Sequence, residues 1–144
     1  MITLVRNIFA LLAGVVVGSA VNMAIVMAGP SLIPPPAGAD MMTPEGIAAA
    51  MSLLEPRHFI TPFLAHALGT LVGAFVAYAV AASYKARFAY AIGVIFLAGG
   101  IAACLMIPAP AWFMALDLVV AYLPMAWLAI ALGARISKPN PPQA

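Results

Sequence analysis

The sequence predicts an all-α polytopic membrane protein, built as an antiparallel bundle of four transmembrane helices with a short surface helix in the first outward loop. Of the 144 residues, 66% are hydrophobic and 7% are charged, whereas soluble domains average ~45–50% and ~25%. Four apolar stretches follow one another, each long enough for a span of ~20 residues. The spans cover about residues 6–28, 59–83, 88–107 and 111–134, so residues 1–144 form a single membrane domain.

The first span is followed by an outward loop, residues 29–58. We expect Pro30 and the triple proline after it to end the first helix, because proline lacks the amide hydrogen that a helix interior uses. In the second half of the loop, Thr43, Pro44 and Glu45 have the pattern of a helix cap, a proline at the first helical position and an acid in the first turn. A short helix is therefore predicted within the loop.

This short helix runs to about Leu54 and is amphipathic. Ile47, Met51 and Leu54 are spaced by four and three residues, which places them on one stripe. We expect the stripe to lie on the outer membrane surface or over the mouth of the bundle. The helix is then either a simple connector or a lid.

The other connections are short, which predicts that neighbouring spans run antiparallel. Residues 84–87 separate the second span from the third, and residues 108–110 separate the third from the fourth. The Thr-Pro pair at residues 61–62 has the pattern of a cap for the main helix of the second span, and the alternative is a helix that starts before Arg57. In the fourth span, Pro124 leaves the carbonyl of Val120 without a donor and is expected to bend the helix.

The basic residues predict that both termini face the cytoplasm. Five of the six Lys and Arg residues lie at the N-terminus, in the second loop or in the C-terminal tail, and only Arg57 lies on the other side. Positive charge is concentrated on the cytoplasmic side of membrane proteins. A cleaved secretory signal is the alternative for the first segment, but the apolar run continues beyond Ala20 to Ala28, which favours a membrane span.

Three polar residues fall inside the predicted spans, namely Asn22, His66 and Asp117. Hydrocarbon cannot hydrogen-bond them, so each needs a partner in the protein or a water. A rise of about 1.5 Å per residue from the predicted helix ends places all three at similar height in the outer leaflet. We therefore expect an intramembrane polar cluster of these three residues, with Thr70 and Tyr122 as supporting partners.

Small residues recur at every fourth position on two of the spans. The ridge on the first span contains Gly14 and Gly18, and the ridge on the second contains Gly69 and Gly73. Ridges of this kind let two helix backbones approach closely. We expect the first two spans to pack along them, which turns the polar residues beside them into the bundle.

Several interpretations of the polar cluster stay open. The side chains satisfy one another and fix the helix register, or His66 and Asp117 form a buried pair that holds or passes a proton. A metal site that also uses Glu55 and His58 is less favoured, because histidines eight residues apart lie about 80° apart around a helix, and no metal ligand is predicted. Phosphate-loop, metalloprotease and nucleophile-elbow motifs are absent, so no catalytic residue and no cofactor are predicted.

Residues 18–23 (GSAVNM), 63–70 (FLAHALGT) and 117–127 (DLVVAYLPMAW) resemble segments of an uncharacterised family of small four-helix bacterial inner-membrane proteins. The likeness covers nearly the whole chain. It implies the fold and a location in the bacterial inner membrane, and it brings no activity and no functional residue. In length the chain is also similar to small multidrug exporters, which work as dimers, but its first span lacks the acid of that family.

The expected function is that of a small accessory or assembly protein that associates with itself or with another membrane protein. The alternative is a small proton-linked transporter or channel, in which His66 and Asp117 carry the proton and Asn22 orients them. A third class is a membrane enzyme that acts on a lipid or isoprenoid, which would need a lateral opening beside His66. The lipid bilayer is an expected partner, and a net charge of only +2 on so apolar a chain argues against nucleic acid.

Overall fold

The computed structural model describes residues 2–107 and 109–136. In this part of the chain the protein is all-helical, as the sequence predicts. Short 3-10 helices span Met51–Leu53 and Pro56–Phe59. The α-helices are α1 (Ile2–Leu32), α2 (Pro44–Ala50), α3 (Ile60–Val80), α4 (Lys85–Met106), α5 (Ala111–Val120) and α6 (Leu123–Ile136).

Four helical segments are long and apolar enough to cross a membrane, which indicates a multi-pass membrane protein. They are Ile2–Leu32, Pro56–Val80, Lys85–Met106 and Ala111–Ile136. The turn predicted at residues 108–110 includes Pro108, which lies outside the described residues, as does Lys138 of the C-terminal tail.

Helix α1 is longer than the first predicted span at both ends, and the prediction that Pro30 ends it is wrong. The helix continues through Pro30 to Leu32, and the amide of Ile33 donates to the carbonyl of Gly29 at 2.8 Å. A proline near a helix end removes one hydrogen bond where the ladder is about to stop. The helix ends before the triple proline at residues 34–36.

Thr61 does not cap the second span, whose helical segment begins at Pro56, so the alternative start before Arg57 is the one observed. Helix α3 follows directly on the 3-10 helix Pro56–Phe59, whose cap is Glu55. The amide of Glu55 donates to Nδ1 of His58 at 2.9 Å, and Nε2 of the same ring lies 3.2 Å from the carbonyl oxygen of Pro34. Both contacts suit one neutral tautomer, in which Nδ1 accepts and Nε2–H donates, so His58 ties the loop to the start of α3.

The turn between α3 and α4 lies earlier than the predicted residues 84–87. Helix α4 already begins at Lys85, and its cap, Tyr84, has a left-handed backbone with φ of 50°. The guanidinium carbon of Arg87 lies 4.7 Å from the centre of the Tyr84 ring. The basic residues therefore belong to the first turn of the helix and not to a linker.

Asn7, which the sequence-based predictions omitted, holds this turn. Its side-chain oxygen accepts hydrogen bonds from the amides of Ala82 at 2.9 Å and Ser83 at 3.3 Å. Its side-chain nitrogen donates to the hydroxyl of Ser83 at 2.9 Å. The signal was present in the sequence, because Asn7 lies three residues before Ala10 and so extends the same ridge of α1 that carries Gly14.

Helices α1 and α3 pack antiparallel along the two glycine ridges. A β-carbon on Gly14 would lie 2.7 Å from the carbonyl oxygen of Gly73, and one on Gly18 would lie 2.7 Å from that of Gly69. These distances leave no room for a side chain, so the backbones themselves are in contact. The ridges thereby fix the position of α3 against α1.

Helix α3 contacts α1, α4 and α6. We call the end of the molecule near residues 2–7 and 81–84 the terminal end, and the end near residues 33–59 the loop end. The half toward the terminal end is closed by a core of fully buried side chains: Ala74, Ala77, Ala89, Ile92, Ala126 and Ala129. Asn22, His66 and Asp117 lie in the other half.

The short loop helix forms as predicted. The hydroxyl of Thr43 accepts a hydrogen bond from the amide of Gly46 at 3.0 Å, and α2 continues as a 3-10 helix to Leu53. Ile47 and Met51 of its apolar stripe line a cavity at the loop end. Of the two placements that the sequence left open, the stripe therefore takes the one over the mouth between the long helices.

Candidate functional site

The polar cluster is built around a contact between α3 and α5. Asp117 of α5 is only 2% exposed. Nδ1 of His66 on α3 lies 2.9 Å from Oδ1 and 3.0 Å from Oδ2 of this carboxylate. The two side chains therefore form a direct hydrogen bond, as expected for a buried pair. Because a carboxylate only accepts, Nδ1–H of the imidazole is the donor.

Aromatic packing at the loop end positions this pair. The rings of Phe59 and Phe113 are 4.8 Å apart, and both side chains are buried. His66 lies two helical turns after Phe59, and Asp117 lies one turn after Phe113. Since residues at these spacings share a helix face, the contact that joins α3 to α5 at the loop end also turns the imidazole toward the carboxylate.

Tyr122 supplies a second donor to the same carboxylate. Its hydroxyl donates to Oδ2 of Asp117 at 2.9 Å, and its ring lies 5.9 Å from the His66 ring at an interplanar angle of 29°. An unbroken helix separates residues five apart by about 140° around its axis. The break between α5 and α6, which Pro124 predicts, falls at Ala121 and Tyr122 and lets the hydroxyl reach Asp117.

Space for Tyr122 comes from a glycine of α4. A β-carbon built on Gly100 would overlap the Tyr122 hydroxyl, whereas one built on its neighbour Gly99 meets no atom within 4 Å. Gly100 is thus part of the site without a functional group of its own. The two consecutive glycines inside a span are the only signal that the sequence offered for it.

The remaining predicted residues do not join the pair through their side chains. The hydroxyl of the fully buried Thr70 donates to the backbone carbonyl of His66 at 2.7 Å. Asn22 is half-buried and packs against Gly69, but within the described ranges its amide has no hydrogen-bond partner. The expectation that three polar side chains converge is therefore met by His66 and Asp117, joined by Tyr122, and not by Asn22.

A cavity of about 310 Å³ connects the polar cluster to the loop end. We call it the loop-end cavity. Its walls come from the end of α1, the stripe of α2, the start of α3, the end of α4 and α5. His66 and Asp117 are the lining residues farthest along α3 and α5 from the loop end, so they lie at its inner limit, and Cys104 of α4 lines it too.

A second cavity of about 280 Å³ lies between α1 and α4. We call it the side cavity. His66 and Tyr122 line it together with Asn22, and so do Met23 and Ile95, which are 57% and 43% exposed. These exposed side chains show that the side cavity opens on the apolar flank of the molecule. His66 therefore borders both cavities.

The arrangement gives one ring nitrogen of His66 an unusual position. Nδ1 is held by a buried carboxylate, and Nε2 has no hydrogen-bond partner in the described part of the protein. The His66 side chain is 26% exposed. A neutral imidazole held in this way presents Nε2 as an acceptor or as a site for one proton. No group of three or more His, Cys, Asp or Glu side chains among residues 2–107 and 109–136 could hold a metal ion.

Comparison with known proteins assigns no relative to this chain. No family model, no curated protein and no solved structure matches it. A functional assignment therefore depends on the chemistry of the polar cluster and on the two cavities that it borders.

Proposed function

We propose that this chain resides in the bacterial inner membrane with its terminal end, and so both termini, in the cytoplasm. The distribution of charge supports this orientation. Arg6 and Lys85 lie at the terminal end, whereas Asp40, Glu45 and Glu55 lie in the loop at the other end. Since basic residues favour the cytoplasmic side, the loop-end cavity would open toward the outer leaflet and the periplasm.

We further propose that the protein binds a small, mostly apolar molecule in the loop-end cavity. The observation that carries this proposal is the unpartnered Nε2 of His66, held in place by Asp117. The cavity volume of about 310 Å³ falls at the lower end of the ~300–1,000 Å³ typical of ligand pockets. Such pockets combine apolar walls with a few polar groups that orient the ligand, and that combination is found here.

The charges around the cavities argue against an anionic ligand. Among the described residues, no Lys or Arg lines either cavity, so an anionic group would meet no countercharge. When the imidazole is neutral, its Nδ1–H faces the Asp117 carboxylate, and its Nε2 accepts a hydrogen bond. The ligand would therefore carry a hydroxyl or another neutral donor.

A binding role agrees with the accessory function that the sequence suggests. The core closes the terminal half of the molecule. None of its buried residues lines the loop-end cavity or the side cavity. A protein with access from one side can bind and present a ligand to a second copy or to another membrane protein. Transport would require a second conformation.

Protection of Cys104 tests the binding proposal. Cys104 is the single cysteine of the chain and lines the loop-end cavity. In purified protein in nanodiscs, 1-hexanol is expected to slow the reaction of Cys104 with a small thiol reagent. His66→Gln should raise the hexanol concentration needed for half-maximal protection by about tenfold, which corresponds to a loss of roughly 1.4 kcal/mol of binding free energy.

The matched control is Thr61→Val, an isosteric change in the wall of the same cavity that leaves the pair intact. Hexanol should protect Cys104 in this variant as in the original protein. Equal protection in the His66→Gln variant, or no protection in the original protein, would contradict the proposal.

A proton-linked transporter is the second candidate, favoured by the burial of Asp117. A buried carboxylate is costly unless it is paired, and the pair offers Nε2 as a site where a proton and a neutral ligand would compete. Liposomes with purified protein should then show proton flux that Asp117→Asn abolishes. Absence of flux, or flux unchanged in that variant, excludes this candidate and leaves the binding role.

A further inference from the structure

We propose that the ligand is a single-chain amphiphile with a neutral hydroxyl head, such as a long-chain or isoprenoid alcohol. Its head would lie beside His66, and its chain would leave through the side cavity between α1 and α4 into the bilayer. This inference rests on the binding function proposed above and adds the class of ligand and its route.

The two cavities adjoin at the polar cluster. His66, Gly100 and Ala103 line both of them. Because His66 itself lines the side cavity, a head group beside its imidazole can lie at the inner limit of that cavity. A molecule held there can extend toward the apolar flank without crossing the closed core.

The side cavity has the shape and lining that an alkyl or isoprenoid chain needs. Helix α1 packs chiefly on α3 and only lightly on α4, and residues of both α1 and α4 line the side cavity. Phe96 and Ile95 form part of the α4 wall. At Gly99 a β-carbon would meet no atom within 4 Å, so the gap is open where a chain would pass.

The polar atoms near the side cavity favour a hydroxyl head. Ser19 and Asn22 line it, and neither side chain has a hydrogen-bond partner within the described ranges. A hydroxyl and an amide supply both hydrogen-bond donors and acceptors to a neutral head group in this cavity. A phosphate or carboxylate head would instead lie near Asp117 with no Lys or Arg in either wall among the described residues.

Photolabelling in nanodiscs tests the route. The probe is hexadecanol with a diazirine in the middle of its chain. The measured quantity is the ratio of adducts at Met23 and Ile95 to adducts at Val16. Val16 is a 66% exposed residue of α1 outside the side cavity. Gly99→Phe fills the gap and should lower this ratio by about tenfold. Val94→Phe adds the same side chain at a 56% exposed position of α4 and should leave the ratio unchanged.

Two further arms keep the outcome decisive. Gly99→Leu adds a smaller side chain at the same position and repeats the test if the first variant does not fold. Hexadecyl phosphate, added as a competitor, should displace the probe at least about tenfold less effectively than hexadecanol, and equal competition would overturn the neutral head.

Hexanol protection of Cys104 separates this inference from the function on which it rests. Hexanol is too short to need the side cavity, so it should protect Cys104 equally in the original protein and in the Gly99→Phe variant. If hexanol protects through His66 but the adduct ratio ignores Gly99→Phe, the chain route is wrong and the binding function stands. If hexanol does not protect Cys104, both proposals fail.

Discussion

The hydroxyl of Tyr122 occupies the space in which a side chain on Gly100 would begin. A β-carbon on Gly100 would overlap this hydroxyl, and the same hydroxyl donates to Asp117 at 2.9 Å. Because Gly100 of α4 has no side chain, the Tyr122 hydroxyl can reach the buried carboxylate of Asp117 as its second hydrogen-bond donor. The polar cluster consequently depends on three helices, although only two of them carry its charged or titratable pair.

Gly100→Ala is expected to displace Tyr122 from Asp117 and to lower the free energy of unfolding by about 1–3 kcal/mol, the usual cost of overpacking a tight contact. Gly99→Ala is the matched control, because it adds the same methyl group on the next residue, where space is open. Unfolding in a detergent titration measures both variants. Equal stability of the two variants would show that Tyr122 is not held by this contact.

The bond between His66 and Asp117 is expected to give a clear coupling energy in a double-mutant cycle of His66→Gln and Asp117→Asn. Interhelical hydrogen bonds in membrane proteins average ~0.6 kcal/mol, with a maximum near ~1.7. We expect a coupling of about 1–2 kcal/mol, because the hydrogen bond joins an imidazole to a buried carboxylate. Additivity of the two single changes to within ~0.3–0.5 kcal/mol would mean that the pair is not formed.

Asn7→Ala is expected to destabilise the protein by about 1–3 kcal/mol, because it leaves two part-buried amides of the turn between α3 and α4 without their acceptor. Ser83→Ala is the milder comparison, since it removes only the hydroxyl that Asn7 contacts at 2.9 Å and leaves both amide bonds in place. The loss in the thermal unfolding midpoint should be larger for Asn7→Ala. The reverse order would refute the role of Asn7 as the anchor of this turn.

Asp40 gives the loop a defined response to acid. Hydrogen bonds from the amide of Met42 and the hydroxyl of Thr43 hold the pKa of this carboxyl below its ordinary value of 3.8. The unfolded loop then binds protons more readily than the folded loop, so the contribution of Asp40 to loop stability is complete above pH 3.8 and disappears as the pH falls through the lower, folded-state pKa.

Carbon-13 NMR of the Asp40 carboxyl group measures this pKa directly. Thr43→Val removes one donor and should move the pKa toward 3.8, whereas Thr43→Ser keeps the hydroxyl and should leave it low. A titration of the original protein at or above the ordinary value would contradict the loop structure.

The sequence predicted the features that follow from local chemistry. The cap at Thr43 formed, because the hydroxyl, the proline after it and the acid act within one turn. The bend before Pro124 formed because a missing amide acts on its own helix. The end of α1 was misplaced, since the effect of Pro30 depends on how much helix remains beyond it. Local rules did not provide that length.

The polar cluster was only partly predictable. The spacing of His66 and Asp117 from their helix starts gave their common height, and that height was enough to bring them together. Asn22 had the same height, but its ridge packs against Gly69 and directs its amide to the side cavity. The cavities themselves depend on the gap between α1 and α4, which is set by three-dimensional packing and leaves no pattern in the chain.

Nitrogen-15 NMR of the His66 imidazole in bilayers, assigned by the loss of its signals in the His66→Gln variant, examines the pair and its free nitrogen in one experiment. We expect a protonated Nδ1, a bare Nε2, and a shift of the Nε2 resonance when 1-hexanol is added. A bare Nδ1 with a protonated Nε2, or an Nε2 resonance that hexanol does not change, would contradict a ligand site built on His66 and Asp117.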